Sequence, residues 1–395
     1  MRVSLHCLRV VAFAVAILAA AQGLAADTVD VLRVAVGEID ARYLYAESPG
    51  WARGRSTLLT GRVEGAASQH ALIRATLAVL GDSDLHLLSP GQFAALQAET
   101  AGKHLGTGLI DFGVDRAPTG EAQVVATLDN SPARDAGLHA GDVLTSIDRA
   151  PTRSLDHEAI IDRLRVRRRV TVSVRRGGQL LNLTIAPSDA PLRAVICEVR
   201  SASGAMIGYV RVAQFTPDAA AQVRAGLIAL QGQKPLGYIL DLRDNPGGLL
   251  DVATDVASLF RSGDFGAKVR RDGAVEIIRA TAPPIADGPL VVLINAGAAS
   301  AAEFAAGALQ GAPGVRLVGK PTRGRGQAQT YVALDHGWGL VIPSARLRSR
   351  QGADLKDHPL QPDIPLPDSI SQDASSRDLA YERALSVLAE LSEET

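Results

Sequence analysis

The sequence predicts a mixed α/β, multi-domain protein. It has a helical N-terminal region, a β-barrel-type unit with two short helices, and a mixed α/β sheet domain. Three observations predict this. Apolar residues recur at helical spacing up to about residue 102, strand-type alternation takes over from 103 to 188, and strands then alternate with helices to about residue 370. A chain of 395 residues has room for several domains. Its near balance of charge, 41 Lys and Arg against 42 Asp and Glu, argues against a nucleic-acid partner.

The first residues carry Arg2 and Arg9, an apolar run over 10–21, and a small-residue site ending near Ala25. That three-part pattern predicts a signal peptide over 1–25, and the run is too short for a stable membrane anchor. The mature protein is therefore expected in the periplasm or secreted. Cys7 falls within that peptide, so Cys197 alone would remain and no internal disulfide is expected. The eight histidines show no His-x-x-x-His spacing and there is no Cys-x-x-Cys, so neither a metal nor another cofactor is expected. The chain holds only five lysines: Lys103, Lys234, Lys268, Lys320 and Lys356.

Residues 27–102 read as helices over 31–45 and 72–80, interrupted at Pro49-Gly50 and Gly81-Asp82. This region carries no chemistry and predicts a packing or dimerisation role. In the second unit, strands are predicted over 123–128, 170–174 and 180–185, the last two joined by a Gly177-Gly178 hairpin turn. Ser131-Pro132 begins a short helix that stops at Gly137, and 155–164 has one apolar face. The basic tract 163–169 lacks interleaved aromatics and reads as a solvated face.

From about residue 189 the α/β pattern sets in. Strands are predicted over 207–212, 236–242, 290–295 and 315–318, with helices starting after Thr216-Pro217, at Leu250 and at Ser300. Two strand ends stand out. Asp241-Leu242-Arg243-Asp244-Asn245-Pro246-Gly247-Gly248 leaves backbone amides at a tight turn, and Ser300-Ala301-Ala302-Glu303 places a hydroxyl where a helix begins. Ser300 and Glu303 also match a capping box, a structural role that needs no chemistry. A hairpin is predicted over 331–342 with His336 in its turn. A final helix over 376–394, within a C-terminal segment 371–395, has Leu379, Leu385, Leu388 and Leu391 as its packed residues.

Taken together these motifs resemble known families. Ser131-Pro132-Ala133, Ala136-Gly137-Leu138, Gly141-Asp142-Val143-Leu144 and Ile147-Asp148 are similar to a PDZ domain of the bacterial protease type. The resemblance implies that Gly106-Thr107-Gly108-Leu109 receives a peptide's terminal carboxylate while the peptide adds as a strand. Three further motifs follow in order: Asp-Leu-Arg-x-Asn-x-Gly-Gly, then Asn-x-Gly-x-Ala-Ser-Ala-x-Glu, then Thr-x-Gly-x-Gly-x-x-Gln. With the PDZ-like unit they resemble the C-terminal processing peptidases, or tail-specific proteases. The resemblance implies Ser300 as nucleophile, Gln329 as the residue that orients its base, and amides of Gly247 or Gly248 and of Ala301 as oxyanion donors. It implies unstructured protein or peptide C termini as substrates, and leaves open a homo-oligomer or an adaptor partner.

The family's general-base lysine falls on Arg325. A serine hydroxyl needs a neighbour that takes its proton, and a lysine does so once burial favours its neutral form. Arginine keeps its proton in proteins and offers no acceptor. Three readings follow: Lys320 acts as a displaced base, Arg325 binds a carboxylate or oxyanion, or the chain is a pseudoprotease that only binds peptides.

Overall fold

The computed structural model describes residues 30–82, 84–101, 112–116, 121–127, 131–139, 141–155, 157–164, 168–186, 194–202, 204–367 and 378–394. The expected signal peptide and the peptide-receiving loop Gly106-Thr107-Gly108-Leu109 lie outside the described residues. The chain divides into two units, one formed by residues up to Ser89 with 330–342, the other by 90–329 with the remainder.

In the first unit three helices, Val31–Arg42, Pro49–Thr60 and Ala66–Leu80, pack around Ile39, Trp51, Leu58, Ile73 and Leu77. Pro49 is a helix start rather than a break. Ser48 caps the helix by accepting the Trp51 N–H, and proline is tolerated in the first turn, where its missing N–H has no intrahelical acceptor to lose. Leu340 and Ile342 from the late hairpin complete this core. His70, buried, bonds Asp335 at 2.9 Å and stacks on Trp338, so the 330–342 segment is fixed to the helices by polar and aromatic contacts together. His336 sits in the hairpin turn with φ 48°.

The PDZ-like portion of the second unit is a sheet of strands Phe112–Arg116, Ala122–Thr127, Val143–Ile147, Val170–Arg176 and Gln179–Ile185. Alternation along Val170–Arg176 buries Val170, Val172 and Val174 against Leu138, Leu144 and Ile160. Gly177 and Gly178, with φ 54° and 83°, make the two-residue turn that the right-handed strand twist favours. The buried Asp142 takes two hydrogen bonds from Arg176, at 2.6 and 2.7 Å, and accepts the His139 N–H.

The sheet domain runs in the order Ile364–Pro365, Val315–Gly319, Leu290–Ile294, Tyr238–Asp241, Ala205–Val212, Val195–Ala202. All neighbours are parallel except the last pair. The central strands are apolar throughout because both faces are covered. Helices Ala219–Gln231, Leu250–Ser258 and Ala301–Leu309 belong to the core on one face. The C-terminal helix Leu379–Glu393 buries Ala384, Val387, Leu388 and Leu391 on the other. Leu379 and Leu385, expected to pack, are only half-buried, and Val387 takes the central position. Sequence reasoning missed the strands Val195–Ala202, Asp264–Arg270 and Val275–Arg279. The first is mostly half-buried, the third is largely exposed, and both mix polar with apolar residues without a clean apolar–polar alternation. Among the described residues no helix is long and apolar enough to cross a membrane.

Candidate active site

The site forms where parallel strands end, the usual place for chemistry in an open α/β sheet. The strand Leu290–Ile294 is wholly buried and passes through Asn295 before reaching Ser300. The Asn295 side chain accepts the N–H of Asp244 at 2.8 Å and of Gly297 at 3.0 Å, and donates to the Asp244 carboxylate at 2.8 Å. Burial pushes the Asp244 carboxyl up, opposed by that Asn295 bond. Two strand ends are thereby stitched into one loop cluster.

Ser300 has φ 55° and ψ −120°, directly before the helix Ala301–Leu309. A side chain other than glycine is strained there, and such strain persists only where surrounding bonds impose it. Other hydrolases hold a nucleophilic serine on a sharp, strained strand-to-helix turn of this kind. The Gly-Gly turn packs against it. A Cβ on Gly247 would stand 2.9 Å from the Ser300 Cβ and 3.0 Å from the Ala299 carbonyl oxygen, so only glycine admits this approach. Ala299 N–H donates to the Asn245 carbonyl, and Gly247 N–H to the Asn245 side chain at 2.8 Å. The Gly247 amide is thus already engaged. Gly248 follows on the exposed side of the turn, and Ala301 N lies against Gly247 in the helix's first turn, where an N–H has no intrahelical acceptor.

Glu303 does more than close a cap. It is fully buried, and its Oε2 accepts the N–H of Ser300 at 3.0 Å and of Arg325 at 2.8 Å. Its Oε1 accepts the Thr322 hydroxyl at 2.5 Å and the Gly324 N–H at 2.6 Å. Burial raises its carboxyl above the usual range, and these four donors pull it back. One side chain therefore fixes both the serine and the glycine loop that carries Arg325. Sequence reading assigned Glu303 only the capping role, because the loop partners lie about twenty residues away and leave no local signal.

The glycine loop is held on its other side by residues 355–357. Gly326 N–H donates to the Leu355 carbonyl and Asp357 N–H to the Gly324 carbonyl, both at 2.9 Å. A Cβ on Gly326 would lie 2.0 Å from the Leu355 Cβ, which explains the glycine. Arg325 is half-buried between these anchors, while Gln329, on the strand Gln327–Ala333, is exposed and Gln327 is buried. Lys320 is half-buried, with its N–H on the Ile294 carbonyl. Ser300, Gly247, Gly248, Ala301 and the Arg325 backbone are brought into one cluster.

The model for peptidase family S41 matches residues 206–366, and a PDZ domain model matches 108–186. A carboxyl-terminal-processing protease of Picosynechococcus sp. is 32% identical over 323 residues, spanning 79% of this chain and 77% of that protein. One from Synechocystis sp. is 33% identical over 333 residues, spanning 81% of this chain and 76% of that protein. Among solved structures, the photosystem II D1 C-terminal processing protease superposes with a TM-score of 0.75 at 28% identity, covering 87% of this chain and 94% of that one. The chain therefore belongs to the carboxyl-terminal-processing proteases of peptidase family S41, a serine peptidase family, and carries a PDZ domain.

Proposed function

We propose that this protein is an exported serine peptidase that takes unstructured protein C termini through its PDZ domain and hydrolyses peptide bonds with Ser300. It works in the periplasm or outside the cell. The observation that carries the reading is the strained Ser300 corner, held by the fully buried Glu303 and met by Gly247 at a distance only glycine allows. Backbone strain of this kind clusters at active sites, where surrounding bonds over-determine it. In this reading the Gly248 and Ala301 amides stabilise the oxyanion, as preorganised donors do in acyl transfer. Gln329 belongs to the base region, and Gly106-Thr107-Gly108-Leu109 receives the substrate's terminal carboxylate.

Arg325 favours a second reading, a pseudoprotease that holds peptides without cleaving them, because a guanidinium accepts no proton. One experiment separates the two. An unfolded protein such as β-casein is incubated with wild type and with Ser300→Ala, and a peptide's affinity is measured with a free and with an amidated C terminus. The peptidase reading expects cleavage lost in Ser300→Ala and affinity weakened by amidation. Binding that depends on the free carboxylate, without cleavage in the wild type, establishes the pseudoprotease instead.

A further inference from the structure

The segment that anchors the glycine loop carries one of the chain's few lysines. Arg325 and Lys356 form an isolated antiparallel bridge. The bonds that flank it, Gly326 N–H to Leu355 and Asp357 N–H to Gly324, make it a non-hydrogen-bonded pair. In such a pair the Cα atoms stand about 4.5 Å apart and both side chains leave on the same side of the ladder. Lys356 therefore projects alongside Arg325, the position where the resemblance expects a catalytic amine.

The same framework ties this pair to the nucleophile. Ser300 N and Arg325 N share one oxygen of Glu303, so their separation cannot exceed the sum of those two short bonds. We propose that the amine of Lys356 is the proton acceptor for Ser300, supplying from the neighbouring segment what Arg325 cannot. This inference rests on the peptidase reading above.

The chemistry balances without another reagent. The Ser300 O–H bond breaks, its proton passes to the Lys356 nitrogen, and Oγ bonds to the scissile carbonyl carbon. As the C–N bond breaks, the resulting ammonium returns the proton to the departing amine, leaving an acyl-enzyme that water hydrolyses by the same relay. Two features suit Lys356 to the task. Its side chain is only 20% exposed, and the ladder bonds on either side of it fix its backbone directly opposite Arg325. One contact of its amine, with the carboxylate of Asp357 at 3.6 Å, involves a 76% exposed member, and such an ion pair is a weak restraint on a flexible stem.

The test compares β-casein cleavage by wild type, Lys356→Met, Lys356→Arg, Lys320→Met, Ser300→Ala, Arg325→Lys and the double variant Lys356→Met with Arg325→Lys. Thermal unfolding of each variant serves as the check on folding. The inference expects Lys356→Met and Lys356→Arg to fold and to lose about a hundredfold or more in kcat, the usual cost of a missing general base. The double variant, which returns an amine to the loop, should regain most of that loss. Folded Lys356→Arg with wild-type turnover overturns the assignment, as does loss of turnover in Lys320→Met but not in Lys356→Met. A wild type that is inactive until Arg325→Lys is introduced also overturns it and leaves the pseudoprotease reading standing. Equal cleavage by wild type and Ser300→Ala removes the peptidase reading itself, and Lys356's role with it.

Discussion

Glu303 receives four hydrogen bonds while wholly removed from water, and each donor belongs to the Ser300 corner or to the glycine loop 322–326. Replacing it by glutamine keeps the size but turns one acceptor into a donor that faces another N–H or hydroxyl. Losing a buried, charge-assisted acceptor costs about 2 to 3 kcal/mol. Glu303→Gln should therefore lower the melting temperature by several degrees and reduce kcat more than it changes KM, read by calorimetry and steady-state kinetics. An unchanged melting temperature would mean that the carboxylate is not the latch described. At this scale the sequence was partly legible. Ser300, the Gly-Gly turn and the glycine loop that carries Arg325 could each be located from motif spacing, because each lies in a short contiguous run. The engaged Gly247 amide, the reach of Glu303 and the pairing of Arg325 with Lys356 depend on segments distant in the chain, and no local pattern encodes them.

The C-terminal helix is fixed to the sheet by a buried ion network. Asp241, at the end of its strand and fully buried, bonds Arg243 and Tyr209, and Arg243 also bonds Asp378, whose carboxylate caps the helix Leu379–Glu393. Burial pushes the Asp241 carboxyl up, but the charge and hydrogen bonds of Arg243, with Arg211 and Tyr209, outweigh it and hold it at about 2. The Asp378 carboxyl is likewise lowered, against its own burial, by Arg243. A carboxyl depressed on folding adds stability that is complete above its unfolded value near 4 and is lost as pH falls through its folded value. For Asp241 that window runs from about pH 4 to about pH 2, and the shift corresponds to roughly 2 kcal/mol. Chemical denaturation across this window should show that loss, and Arg243→Ala, already lacking the partner, should show a flatter slope. The same slope in both proteins would contradict the network's role. Elements with strong period were legible in advance: the central strands, the Gly177-Gly178 hairpin and the C-terminal helix all appear. The strands Val195–Ala202 and Val275–Arg279 did not, since pairing with neighbours rather than apolar alternation holds them in place.

Across the whole molecule, a PDZ domain and an S41 peptidase domain occupy one chain, and the helical region forms its own unit with the 330–342 segment. No periodicity in the first hundred residues announces that they share a core with a hairpin more than two hundred residues later. The motif order, by contrast, was enough to place the chain in its family, because several separated motifs agreed. The central claim is that this framework still activates a serine. Intact-protein mass spectrometry after exposure to a fluorophosphonate, a reagent that bonds covalently to activated serine hydroxyls, tests it most directly. The account predicts one adduct per chain, mapped to Ser300 and absent in Ser300→Ala. A wild type that remains unlabelled, while Arg325→Lys takes up the reagent at Ser300, would contradict it.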